Sequence, residues 1–401
     1  MSSLSEKLPL KQASAYASPR RESEYLPLVY GAMDAGGEGG LWQTVCLDTA
    51  SHVYALAGHA LLPLAAGNQV KLFDKDNAEI SSADYSLDLA HDFQGKGVIS
   101  TATFVEDPKD KEPIGARAKG KAGQDGALLE NPLDILRDVL LGVFGLDLGD
   151  ISVSAWARAW ARSAGLGFRA AGVLDKPQEA AKLLTQVLGQ FLGSWWRGAD
   201  GKVRVYLDLG PGAADEAELS MVFNQANLSE VSLSAKLDEL VNQAGASYAL
   251  NYVSGEYEEA LEETASADAK SQGLYGVRAQ DLELSWVRDA STADTVCQRL
   301  VGMLARPRRL INAVDNGLVS LPLEKGDAAL LSLDWVCDQE GRPLVNQIVR
   351  VLSVEPDLDR GVIRYGFLDT GFYKTSARLA DGAWPADGGT RAGGERDRRA
   401  F

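Results

Sequence analysis

The chain has 401 residues, 45% hydrophobic and 24% charged, enough for two or three domains around sizeable cores. Its formal net charge of −16, with no compensating basic block, argues against a protein that holds nucleic acid through clustered Lys and Arg. No apolar run reaches transmembrane length, and the leader MSSLSEKLPLKQASAYASPRRESEY lacks a signal-peptide core, so folding in the cytoplasm is expected.

Residues 1–24 are polar and punctuated by Pro9 and Pro19, which predicts a flexible N-terminal arm. From Tyr25 to about Glu106 the short runs QTVCLD, HVYALAGHALL and NQVKLFD, divided by Gly and Asn, predict strands. The Lys-, Gly- and Pro-rich stretch 107–126 predicts a loop or boundary.

A helical block follows. Asn131 is placed to cap a helix with Pro132 at its first position and an apolar stripe of Leu133, Leu136, Leu140 and Val143. A second helix is predicted from near Ser154 to Gly165, with Trp156 and Trp160 on one face. A third is predicted from Asp175, with Gln178 completing a capping box and Ala180, Leu184, Val187, Leu188 and Phe191 facing inward.

Beyond the Trp195-Trp196 pair, read as a helix end, Asp200-Gly201 predicts a turn into the strand KVRVYLDL. KLDELVNQ allows a short helix, SYALNYVSGEY reads as a strand and a turn, and the run of Glu256, Glu258, Glu259, Glu262 and Glu263 as an exposed loop. LELSWV predicts a strand, followed by a helix capped by Ser291 or Thr292, carrying Ala293, Val296, Cys297, Leu300 and Leu304 and stopped by Pro307. NGLVSLPL, DAALLSLDWV, LVNQIVRVLSVEP and GVIRYGFLD then predict an antiparallel meander with turns at Lys325-Gly326-Asp327 and Glu340-Gly341. From Ser376 the sequence loses periodicity and reads as a flexible C-terminal tail, 376–401.

The residues that carry chemistry are sparse. The three histidines, His52, His59 and His91, show no HxxxH or HxH spacing. The first two are seven apart in a region that reads as strand, where an odd offset puts them on opposite faces. Cys46, Cys297 and Cys337 are widely spaced in apolar segments, the pattern of small buried side chains rather than of disulfides or a zinc knuckle. No GxxxxGK[ST] loop, strand-linked GxGxxG or GxSxG elbow is present, and Gly36, Gly37, Gly39 and Gly40 read as a loop rather than a phosphate cradle. Trp195-Trp196 allows a sugar-stacking platform, though adjacent aromatics more often split between core and interface. Catalytic, cofactor and metal residues are therefore assigned to none.

In order along the chain, YLPLVYGAM, NPLDILRDVL, WWRGADGKVRVYLDL, SQGLYGVRAQDLELSWV, ADTVCQRLVGMLARP, LEKGDAALLSL and LVNQIVRVLSVE resemble segments of tailed-bacteriophage tail hub proteins at the tail tip or baseplate. The likeness spans roughly residues 25–370 and rests on order and spacing. It implies an α+β chain with two tail-tube-like antiparallel β-barrel domains, an inserted small helical domain and a smaller mixed domain. The first barrel falls at 25–118, with strands from 202–235 as candidates to complete it, and the helical insertion at 119–201. A mixed segment falls at 202–274 and the second barrel at 275–375, with helix 292–305 packed on it.

The resemblance further implies a non-enzymatic virion protein assembled in the host cytoplasm. Its partners would be itself in a ring (a homotrimer), a distal tail or tube protein, and tip, spike or fibre proteins, with genomic DNA passing through unbound during ejection. Two alternatives remain from the residues alone: a tail-associated cell-wall hydrolase, which needs two facing carboxylates, and a carbohydrate- or receptor-binding tail module built on the tryptophans.

Overall fold

The computed structural model describes residues 4–16, 18–35, 40–208, 219, 221–235, 237–337 and 343–373. In chain order the elements begin with β1 (Leu28–Tyr30), β2 (Trp42–Gln43), β3 (Val45–Asp48), β4 (Val53–Ala57), β5 (Lys71–Phe73), β6 (Tyr85–Asp92), β7 (Val98–Phe104) and β8 (Gly115–Arg117). Next come α1 (Pro132–Asp138), α2 (Val153–Gly165), β9 (Gly172–Leu174), α3 (Ala180–Gln190), β10 (Gly193–Arg197) and β11 (Val203–Leu207). They continue with β12 (Val222–Asn224), β13 (Leu228–Ala235), β14 (Gln243–Leu250), β15 (Tyr257–Ala267), α4 (Ala269–Tyr275) and β16 (Ala279–Leu284). The last are α5 (Ala290–Leu304), β17 (Arg309–Asp315), β18 (Ala328–Cys337), β19 (Pro343–Asp357) and β20 (Val362–Tyr373). The result is a mixed α+β fold, mostly sheet.

In the N-terminal part, a sheet of order β3-β4-β7-β6 and another of order β2-β8-β5 share one core. Trp42, Leu56, Leu72, Ala102, Phe104 and Ile114 fill it, and the Trp42 indole N–H donates to the Leu56 carbonyl at 2.8 Å. β8 lies inside the stretch expected to be a loop. Its residues Gly115 to Arg117 are too short and small to show a period, but pairing with β2 and β5 makes it the central strand. The strands from 202–235 expected as candidates to complete this region go elsewhere: β11 pairs with β10, and β12 and β13 join the C-terminal sheet.

Residues 4–16 are packed, not the loose arm that their polarity predicts. Leu4 and Leu8 are buried in the helical core, and the Leu8 N–H donates to the Gln178 carbonyl at 2.8 Å. Ala13 and Tyr16 sit in a second cluster with Leu26, Leu47 and Ile99. The segment thus straps the helices to the N-terminal sheet.

The helices form no separate core. α1, α2 and α3 pack with α5 and the sheet β15-β14-β16 around Leu136, Val187, Leu188, Ala246, Val296 and Leu300. Asn131 caps α1 as expected, its side-chain oxygen accepting from the Leu133 N–H at 3.0 Å. α3 starts at Ala180, so Asp175 opens no helix. α5 is capped by Asp289, whose carboxylate accepts from Thr292, rather than by Ser291 or Thr292. It lies against β14 and β15, not against the final strands, so the expected pairing of this helix with a second barrel is overturned. Most of the acidic run is no loop either: Glu256 precedes β15, while Glu258, Glu259, Glu262 and Glu263 lie on it, a sheet edge whose glutamates face water. Residues 237–240 form no helix.

The C-terminal sheet has the order β12-β18-β19-β20-β17-β13. Its two edge strands, β12 and β13, are successive in sequence and joined only by Gln225, Ala226 and Asn227. That short link requires the sheet to curl until its edges meet at one end, giving an open half-barrel. The interior holds Phe223, Leu331, Leu344, Val349, Tyr365 and Phe367, with the Phe223 ring centroid 5.0 Å from that of Phe367. One end contains a buried ion pair, Arg309 with Asp369, which also accepts from Gln347. NGLVSLPL is turns rather than strand, and β17 before it was not apparent in the sequence. The Glu340-Gly341 turn and the expected C-terminal tail lie outside the described residues.

A polar joint connects half-barrel and body. Arg204 on β11 pairs with Glu324 at 2.7 Å, and Arg308 pairs with Asp208 at 2.9 Å. The turn glycine Gly326 has φ +90°, and a side chain there would overlap the Trp196 ring. The turn is therefore closed against β10 by a residue without a Cβ.

Candidate functional site

The sequence-predicted chemistry disperses in three dimensions. Among the described residues no group of three or more His, Cys, Asp or Glu side chains is placed to hold a metal ion. His52 sits in a turn with φ 54°, and His91 lies on β6 beside Asp88. His59 accepts from the Val29 N–H at Nε2 (2.9 Å) and lies 2.8 Å from the Ala60 carbonyl through Nδ1, which assigns the proton to Nδ1. Burial disfavours its charged form and pushes its pKa down to about 4. It is thus a neutral structural histidine.

Cys46 and Cys297 are buried as expected, and burial pushes both thiols up, Cys297 to about 12. Cys337 is exposed at the end of β18, against expectation. Trp195 and Trp196 lie on strand β10, not at a helix end. The indole N–H of Trp195 donates to Thr185 at 2.9 Å, whereas Trp196 faces Gly326 with the Lys325 ammonium 6.0 Å from its ring centroid. Alternation along the strand sends the two rings to opposite faces, so they make no shared stacking platform.

What the fold does present is surface suited to assembly. β13 is an open edge, and its sequence LSEVSLSA carries a single charge, Glu230. Edge strands commonly carry Lys, Pro or inward charges that block pairing with another chain. β15, the edge of the other sheet, carries four glutamates and so has that protection; β13 has little. Leu233 on β13 is 38% exposed. The loop after β17 leaves Leu318, Val319 and Leu321 in solvent, Val319 at 82%, and its Asn316 accepts from Ser229 at the start of β13. Trp335 and Val345, on neighbouring strands, are also largely exposed. Sequence reasoning missed this surface because apolar residues in turns carry no period.

No family model matches the chain, and no curated protein does. Solved structures do match. A tail protein from Neisseria meningitidis MC58 is 10% identical, with a TM-score of 0.35 over 80% of this chain and 97% of that one. The chain is similar to phage tail proteins. The 43 kDa tail protein of prophage MuSo2 from Shewanella oneidensis is 9% identical, with a TM-score of 0.36 over 91% of this chain and 94% of that one. Prophage tail protein gp18 from Listeria monocytogenes EGD-e is 10% identical, with a TM-score of 0.29 over 75% and 87%.

Proposed function

We propose that this chain is a structural protein of the phage virion, the central hub of a tail tip or baseplate. It joins the tail tube to the tip and contributes part of the wall of the DNA channel. The observation that carries the reading is the half-barrel with its weakly charged open edge, a surface built to be completed by another chain. The order and spacing of the segments that resemble tail hub proteins support the kind of assembly proposed.

In this reading the N-terminal pair of sheets and the half-barrel are the two tube-like units. Three copies then present six such units to a six-fold tube. A net charge of −16 gives the ring a surface that repels DNA phosphates, so the genome slides past without being held. Tube or distal tail protein docks on one side and spike or fibre protein on the other.

Negative-stain electron microscopy of virions carrying a tag on this chain tests the proposal. A threefold ring at the tail end is expected. Label elsewhere on the particle, or a lytic band from the purified protein in a cell-wall zymogram, overturns it.

A further inference from the structure

Helix α2 departs from the usual pattern of a surface helix, whose outward face is charged. Val153, Ala157, Trp160, Ala161 and Ala164 are all exposed on it, Val153 at 61% and Trp160 at 44%. Their spacing of three and four residues puts them on one face. No charge interrupts that strip. The two arginines of the helix, Arg158 and Arg162, lie toward the joint, where Arg162 donates to the Leu207 carbonyl at 2.9 Å. Trp160 walls one side of the strip, its indole N–H held by Asp134 of α1 at 2.7 Å, and the alanines form a low floor beside it.

A second charge-free surface stands on the half-barrel. From Asn316 to Leu323 the sequence carries no charge, and Leu318, Val319 and Leu321 are exposed. The loop is nonetheless pinned. Ser320 at its centre is buried, its hydroxyl donating to Asp315 and its carbonyl accepting from the Tyr365 hydroxyl at 2.7 Å. The Asn316 N–H donates to the Asn227 carbonyl at 2.9 Å, which ties the loop to the start of β13. Three branched side chains are thus held out as a knob that needs little further ordering on contact.

The knob and the strip complement each other in shape and in their lack of charge. Copies of a chain of net charge −16 repel one another, and they approach best where neither brings a charge to the contact. We propose that the knob at 318–321 of one copy seats on the α2 strip of a second copy, a head-to-tail contact whose repetition closes a ring. Because Asn316 also accepts from Ser229 at 2.8 Å, the copy that covers the knob also lies beside the open edge β13. The inference rests on the tail-hub reading for the ring itself and adds which surfaces join its members.

Disulfide trapping in the concentrated full chain tests it. Ala157→Cys and Val319→Cys are combined in a Cys337→Ser background, the other two cysteines being buried. Oxidation should yield covalent trimers on a non-reducing gel. Adding Ala161→Glu puts a charge into the strip and should slow the linking about tenfold. Each variant should unfold thermally within a few degrees of the parent, since the altered positions are exposed. No link between copies, equal linking with and without Ala161→Glu, or equally efficient linking by Ala157→Cys alone overturns the proposal. Trimers from a chain whose label is absent from the tail end would contradict the hub and support this contact; a tail-end ring whose copies do not link would do the reverse.

Discussion

The sheet β14 to β16 and the half-barrel solve the same problem in opposite ways. The first is covered by α5 and shares one core with α1, α2 and α3, and its exposed edge strand carries four glutamates. Among the described residues the core of the second takes in no helix residue, and its apolar face is buried by curling on itself, which leaves an edge strand with one charge. Covering a sheet with helices closes its face and permits a charged edge. Curling it closes the face but presents an edge that another chain can extend. In the proposed reading this difference assigns assembly to the half-barrel and structural support to the helical body.

The comparison can be broken by substitution. Phe367→Ala, inside the half-barrel, should cost about 3–5 kcal/mol. Because its core is distinct from the helical one, chemical denaturation should show the half-barrel melting first while the helical circular dichroism persists. Loss of both signals in one transition would merge the two units.

Arg309→Met leaves Asp369 buried without its ion-pair partner and should cost about 3–5 kcal/mol in the same assay. Adding Asp369→Leu should recover much of that loss. A double variant as unstable as the single would show that the pair is not the source.

His59 sharpens the account of the N-terminal sheet. Its folded pKa of about 4 lies below the ordinary 6.5, so the unfolded chain binds the extra proton first as pH falls. This contribution is fully present above about pH 6.5 and is lost progressively toward about pH 4. The loss should be on the order of 2 kcal/mol, the full shift being discounted because part of the residue reaches solvent. A His59→Asn variant should show a flatter stability profile across that window; an unchanged slope would assign the acid sensitivity to other groups.

Leu233→Lys, on the exposed edge β13, should change the stability of the isolated chain by no more than about 0.5 kcal/mol. It should nonetheless abolish incorporation into particles. Normal incorporation would remove this edge from the interface.

The legible parts of the sequence were those where local chemistry and tertiary context agree. Asn131-Pro132 announces α1, and the long runs of β18, β19 and β20 appear nearly where expected. β10 was hidden because Trp195 and Trp196 are large on both faces, each packed against a different neighbour. β15 was hidden because an edge strand in water needs no apolar alternation, so its glutamates read as a loop. The misplacement of α5 has another cause: an amphipathic helix shows which face it buries, not which sheet lies beneath.

The open edge is tested most directly by amide hydrogen exchange along β13, Leu228 to Ala235, in the isolated chain and in assembled particles. The outward-facing amides of β13 should exchange quickly in the isolated chain and become strongly protected on assembly, while those of β15 change little. Equal exchange of β13 in both states would contradict the claim that a neighbouring chain completes the half-barrel there.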